Sequence, residues 1–205
     1  MTKLQASLCL VIFFTSACAH QKPVAPKKVE SLNKLSRQAK AQKQSGEENR
    51  LRQILAEERK GILTNRKVRE FPLPQPATDE NIYALIIKAY QERNLEQVGF
   101  FAGVMRKQHA NSIFTDNAIY LRGQLQLAFG FYSQSIKDFD DILKNFPLSN
   151  KRPAALLGKG IAYRKLQLYL YSEKSLLELK NQYPGSPEFF KAEVEEKLLA
   201  LERKS

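Results

Sequence analysis

The chain has no tryptophan, two histidines and two cysteines in 205 residues. Both cysteines, Cys9 and Cys18, fall within the first eighteen positions. That placement excludes a disulfide-stapled core, a zinc-finger array and a cysteine-based redox domain. Long apolar runs are also missing. The longest, Leu8–Phe14, is far short of the ~20 apolar residues that span a bilayer. Negative charge is in deficit: 33 Lys and Arg stand against 21 Asp and Glu, a net +12. What is present is ordinary. Hydrophobic residues make up 43% and charged residues 26%, the proportions of a globular domain rather than a disordered chain.

Residues 1–17 have the layout of an export signal, with Lys3 and the free amino terminus before the apolar run. Thr15-Ser16-Ala17-Cys18 follows. It resembles the lipobox of bacterial lipoproteins, in which small residues precede a cysteine that takes a thioether-linked diacylglyceryl group. Thr15 stands where that family usually has leucine. The resemblance implies that Cys18 is the lipidated mature N-terminus. Acyl chains contributing about 0.8 kcal/mol per buried CH₂ would then tether the protein. Ala19 is not the inner-membrane retention aspartate of the sorting rules, so the expected address is the outer membrane, periplasmic face. Ala17-Cys18-Ala19 also fits ordinary signal peptidase, with cleavage before His20 and a soluble product.

Residues 19–28 carry two prolines and no periodicity, the pattern of an extended linker. Apolar positions 29, 32, 35 and 39, then 51, 54, 55 and 62, predict two partial helices over 29–41 and 47–63, with a break at Gln42–Gly46. Phe71-Pro72-Leu73-Pro74-Gln75-Pro76 cannot be helix and is expected to be a spacer at a domain boundary. Residues 18–77 hold 14 basic against 6 acidic side chains, and residues 78–205 hold 18 against 15. The basic excess therefore sits beside the expected anchor, as a solvated tether or a segment pressed on anionic lipid or cell-wall polymer. It has no interleaved aromatics for base stacking, so nucleic acid is not an expected partner.

The chain repeats itself at a shift of 37. Ile119 meets Leu156, Gly123 meets Gly160, Tyr132 meets Tyr169, Ser135 meets Ser172, Phe139 meets Leu176, and Pro147 meets Pro184. This resembles the tetratricopeptide repeat, a helix–turn–helix unit with small residues where its A and B helices cross. Three units are expected, with A helices near 79–92, 115–128 and 152–165 and B helices near 95–108, 132–145 and 169–182. The first unit lacks the proline and the helix-A glycine. A last helix, 188–203, places Phe190, Val194, Leu198 and Leu201 on one stripe and is expected to cap the array with it. The fold class is thus all-α: an export signal over 1–17, a basic tether over 18–77 and a repeat domain over 78–205. The Asn145-Phe146-Pro147-Leu148-Ser149 and Tyr183-Pro184-Gly185-Ser186 junctions look like those of the YbgF/CpoB-like and BamD-like envelope repeat families.

Catalytic constellations are not found in the sequence. His20 and His109 stand alone, Gly158-Lys159-Gly160 lacks the spacing of a P-loop, and Asp138, Asp140 and Asp141 are scattered by helical geometry. No enzyme activity, metal or cofactor is expected. By the repeat resemblance the A helices line a groove, which implies Tyr83, Ile87, Tyr90, Tyr120, Gln124, Leu127, Leu157, Ile161 and Arg164 as partner-facing positions, unless neighbouring elements bury them. Arg106, Lys107, Lys151 and Arg152 read as solubilising charges. The function expected from these features is a membrane-tethered scaffold that binds envelope proteins or peptide segments in Tol-Pal, outer-membrane assembly or cell-wall work. The alternative is a pilotin-like assembly factor for a secretion or pilus system.

Overall fold

A computed structural model describes residues 27–63 and 69–204. The expected export signal, Cys18 and the first part of the expected linker lie outside them. The chain divides into two compact units, residues 1–41 and 42–205. The division falls inside a helix, not at the proline spacer.

That helix, α1 (Lys27–Leu63), runs without a break through Gln42–Gly46. A single helical glycine costs only about 1 kcal/mol, and the flanking Lys, Gln, Glu and Arg favour helix. In the first unit the side chains of residues 34–41 are all exposed. In the second unit α1 becomes amphipathic: Leu51 and Ile54 pack against Ile136, Ala162, Tyr163 and Leu168.

The rest of the second unit is all helix, with no strand among the described residues: α2 (Asp79–Gln91), α3 (Leu95–Gln108), α4 (Thr115–Ala128), α5 (Tyr132–Asn145), α6 (Arg152–Lys165), α7 (Tyr169–Gln182) and α8 (Pro187–Glu202). Each packs on the next, and α2, α4, α6 and α8 also touch in turn. The helices stack in consecutive pairs, as in a helical-repeat array. Thr78 caps α2 by accepting the Asn81 N–H, and Asn94 caps α3 by accepting that of Gln97. Ser186 caps α8, where Pro187 occupies the first turn.

The 37-residue period is visible in the backbone even where the side chains differ. Arg93, Gly130 and Gln167, each 37 apart, adopt φ of 55°, 82° and 58° at the turn inside each pair. The next N–H closes each turn on a carbonyl five residues back: Asn94 on Ala89, Phe131 on Gln126, Leu168 on Tyr163, all at 2.8–2.9 Å. The junctions between pairs repeat too. Ser112, Ser149 and Ser186 each donate their N–H to the carbonyl three residues back, and each hydroxyl accepts an N–H at the entry to the following helix, from the N-cap residues Phe114 and Lys151 and from Phe189 in the first turn of α8. The first unit lacks the proline but keeps the joint, because serine supplies the turn.

Glycines mark the helix crossings. A Cβ on Gly160 would lie 2.7 Å from Leu176 Cδ2, and the Ser172 hydroxyl donates to the Gly160 carbonyl at 2.8 Å. The Phe139 ring is held between two glycines. A Cβ on Gly123 would come within 2.9 Å of Cε1, and one on Gly158 within 2.5 Å of Cε2. Gly158 is therefore a packing residue of α6, serving the helix of the preceding pair.

Besides the unbroken α1, two elements depart from expectation. The proline segment is no bare spacer: Phe71 sits edge-on to Phe100 at 5.6 Å and against Phe101 at 6.1 Å, closing the first core cluster with Leu73 and Ala77. And α8 does cover α6 and α7, but not with the expected stripe. Ala192 joins the cluster of Leu156, Leu157, Leu176 and Leu179, and Leu199 is buried as well. Phe190, Val194, Leu198 and Leu201 are 60%, 56%, 38% and 65% exposed. The i, i+4 pattern located the apolar stripe but could not say which side meets the array.

Candidate functional site

The expected groove positions separate into two groups. Tyr83, Ile87 and Tyr90 on α2, and Tyr120 and Gln124 on α4, are half-buried and keep part of their surface open. Tyr83 stacks on Phe114 with centroids 4.9 Å apart and planes 15° apart. Burial, aided by the Asp116 charge, raises its phenol above the ordinary value. Tyr120 leans on Phe139 at 6.2 Å, and the Lys151 ammonium lies 5.8 Å from its ring centre. Burial, followed by the nearby Tyr90 and Glu188, pushes the Tyr120 phenol up to about 12. Tyr90, Tyr120, Lys151 and Glu188 therefore share one neighbourhood, drawn from α2, α4, the turn before α6, and α8. Lys151 is part of that shelf rather than a plain solubilising charge.

The second group is drawn into the core clusters. Leu127 and Ile161 are half-buried too, but Leu127 packs against two core clusters and Ile161 against the one that holds the buried Leu157 and Ala192 of α8. Arg164 is 5% exposed. Its Nε donates to Glu195 at 2.9 Å, and it also binds Glu202. It fastens α8 to α6 and is not available to a ligand. In α6 the positions taken for groove are the seat of the next A helix.

Other charged side chains are joints between helices. The Arg106 guanidinium makes a bidentate pair with Asp141 at 2.8 and 2.9 Å and lies over the Phe146 ring. Arg122 pairs with Asp138 at 2.7 and 2.6 Å, and Lys159 with Asp140 at 2.7 Å. The three aspartates of α5 thus reach α3, α4 and α6 separately. Burial raises the Asp138 carboxyl, against the opposing pull of Arg122. Arg152 donates to the Tyr183 hydroxyl and the Leu143 carbonyl. Only Lys107, of the four cations read as solubilising, has no described partner. His109 acts through its backbone: it caps α3, and its carbonyl accepts the Thr115 hydroxyl at 2.6 Å.

Two features were not foreseen. Glu47 of α1 is buried, and its carboxylate accepts the Leu170 N–H at 2.8 Å. Leu168 at the α7 N-cap offers no side-chain acceptor, so α1 supplies the negative charge that a helix N-terminus favours. Beside it, Leu51 and Leu55 line a gap of about 150 Å³ with Ile136 and Tyr163. An open cleft of about 600 Å³ separates the junctions at 110–117 and 145–150, with Asn111, Asn117, Asn145 and Asn150 in its wall. Among the described residues no group of three or more His, Cys, Asp or Glu side chains is placed to hold a metal ion, and no helix is long and apolar enough to cross a membrane.

Scanned against protein-family models the chain finds no match, and a search of curated proteins finds no significant relative.

Proposed function

We propose that this chain is a tetratricopeptide-repeat scaffold, exported and tethered through Cys18 to the periplasmic face of the outer membrane, where it binds protein segments of the envelope machinery. The observation that carries this reading is the half-buried aromatic shelf of Tyr83, Tyr90 and Tyr120 on successive A helices. Aromatic groups that are partly buried and rigidly held lose little entropy on contact and dominate interface energy. Lys151 and Glu188 at its rim supply one donor and one acceptor of charge for orienting an extended or helical segment.

Site-specific photo-crosslinking in the envelope tests it. A photo-reactive side chain at position 90 should give a discrete adduct with an envelope protein, and one at Gln108, exposed on α3, should not. Metabolic labelling with an alkyne fatty acid should mark the wild type and leave Cys18→Ser unmarked. Adducts that form only from the α1 segment would move binding to the basic tether, and a mature N-terminus at His20 would remove the anchor.

A further inference from the structure

The exposed stripe of α8 occupies repeat positions that earlier units bury or half-bury. Counting back 37 residues, Val194, Leu198 and Leu201 correspond to Leu157, Ile161 and Arg164, which lie beneath α8 itself. Among the described residues no element covers this face of α8. The stripe lies directly opposite the buried Ala192 and Leu199, since positions four and seven apart share a face. Its four exposures amount to about two whole large side chains, on the order of 400 Å².

We propose that a second copy of this chain covers the stripe, with the two α8 helices antiparallel about a twofold axis. The sequence of the stripe is self-complementary in that direction. Its midpoint lies between Val194 and Leu198, so Phe190 meets the partner's Leu201 and Val194 meets the partner's Leu198. In an antiparallel pair the same flank of each helix meets its like. The exposed Glu193 and Lys197 share a flank and are four residues apart, so Glu193 comes opposite the partner's Lys197, twice by symmetry. The pair buries on the order of 800 Å², below the ~1,200 Å² of standard stable complexes. The dimer is therefore weak and concentration-dependent, and a closed twofold contact adds no further copies.

Cysteine cross-linking of the full chain in the envelope reads both the contact and its direction. Two differently tagged copies are co-expressed, one carrying Phe190→Cys and the other Leu201→Cys, and the envelope is oxidised. The mixed pair should give at least tenfold more disulfide dimer than either variant alone, because only unlike positions meet. In that background Glu193→Lys in both copies should cut the yield several-fold, and so should Lys197→Glu in both. Glu193→Lys in one copy with Lys197→Glu in the other should restore it. All these side chains are exposed, so the fold is left intact, which circular dichroism checks. Adducts between like positions would overturn the antiparallel arrangement. No adduct in any combination, or no rescue by the paired charge swap, would overturn the proposal.

Discussion

Gly158→Ala adds one methyl at the tightest point of the array. The new Cβ would lie 2.5 Å from Phe139 Cε2 and 2.6 Å from Cζ, about 1 Å inside ordinary carbon–carbon contact. The ring is fully buried, and its opposite edge already faces the α4 backbone so closely that a Cβ on Gly123 would stand 2.9 Å from Cε1. That leaves the ring little room toward α4. Overpacking of this kind costs about 1–3 kcal/mol, and a buried ring hemmed at both edges belongs at the upper end. Replacing a helical glycine by alanine returns about 1 kcal/mol. The net loss is about 2 kcal/mol, or about 4–8 °C in melting temperature for a unit of this size. Gly99→Ala and Gly103→Ala are the controls, because nothing lies within 4 Å of either added methyl. They should gain about 1 kcal/mol each. Thermal and urea unfolding followed by circular dichroism measures all three. Phe139→Leu should cost about 1–2 kcal/mol alone. Combined with Gly158→Ala it should cost at least about 1 kcal/mol less than the sum. Equal stabilities for Gly158→Ala and Gly99→Ala would refute the reasoning, since the two differ only in what the methyl meets.

The α1 contact and the charged joints give two more. Glu47→Ala removes the acceptor of the Leu170 N–H; at about 1 kcal/mol for a lost cap, that amide should exchange hydrogen about fivefold faster, while Glu47→Gln, which still offers a carbonyl oxygen, should stay near the wild-type rate. Burial alone would raise the Asp141 carboxyl, but hydrogen bonds from Arg106 and Asn145 outweigh it and hold the group below its ordinary 3.8. A depressed carboxyl stabilises the fold above its unfolded value and loses that contribution as pH falls through it. The melting-temperature gap between wild type and Asp141→Asn should therefore be widest near neutrality and shrink below about pH 4; a constant gap would mean that Asp141 stabilises without its charge.

Much of the architecture was legible because a repeat states its own period. The shift of 37 places α2 to α7 within a residue of their observed ends, and it marks Gly123, Gly160 and Ser172 as crossing residues. Those are local constraints: a helix crossing needs a small side chain and a turn needs its cap, and both leave a trace in the letters. The serine joint of the first unit was equally written, at Ser112, but was hidden by the more conspicuous proline of the other two.

Facing was not legible. Periodicity identifies which side chains share a helix face, never what that face meets. Arg164 reads as a groove cation until Glu195 and Glu202 arrive from α8, more than thirty positions later. Phe190, Val194, Leu198 and Leu201 read as the inner side of a cap, yet the array takes the face with Ala192 and Leu199. Helix α8 approaches closely enough to reach both Arg164 and the Leu156 cluster, and a small residue at the contact suits that approach better than a phenylalanine. Glu47 carries no local sign of its role, and it caps a helix beginning more than a hundred residues away. The sequence by itself determined the helices, their pairing and the residues at each crossing, because neighbours in the chain settle those. Only the tertiary structure decided which apolar stripe is core and which is surface, because that depends on elements that meet across the fold.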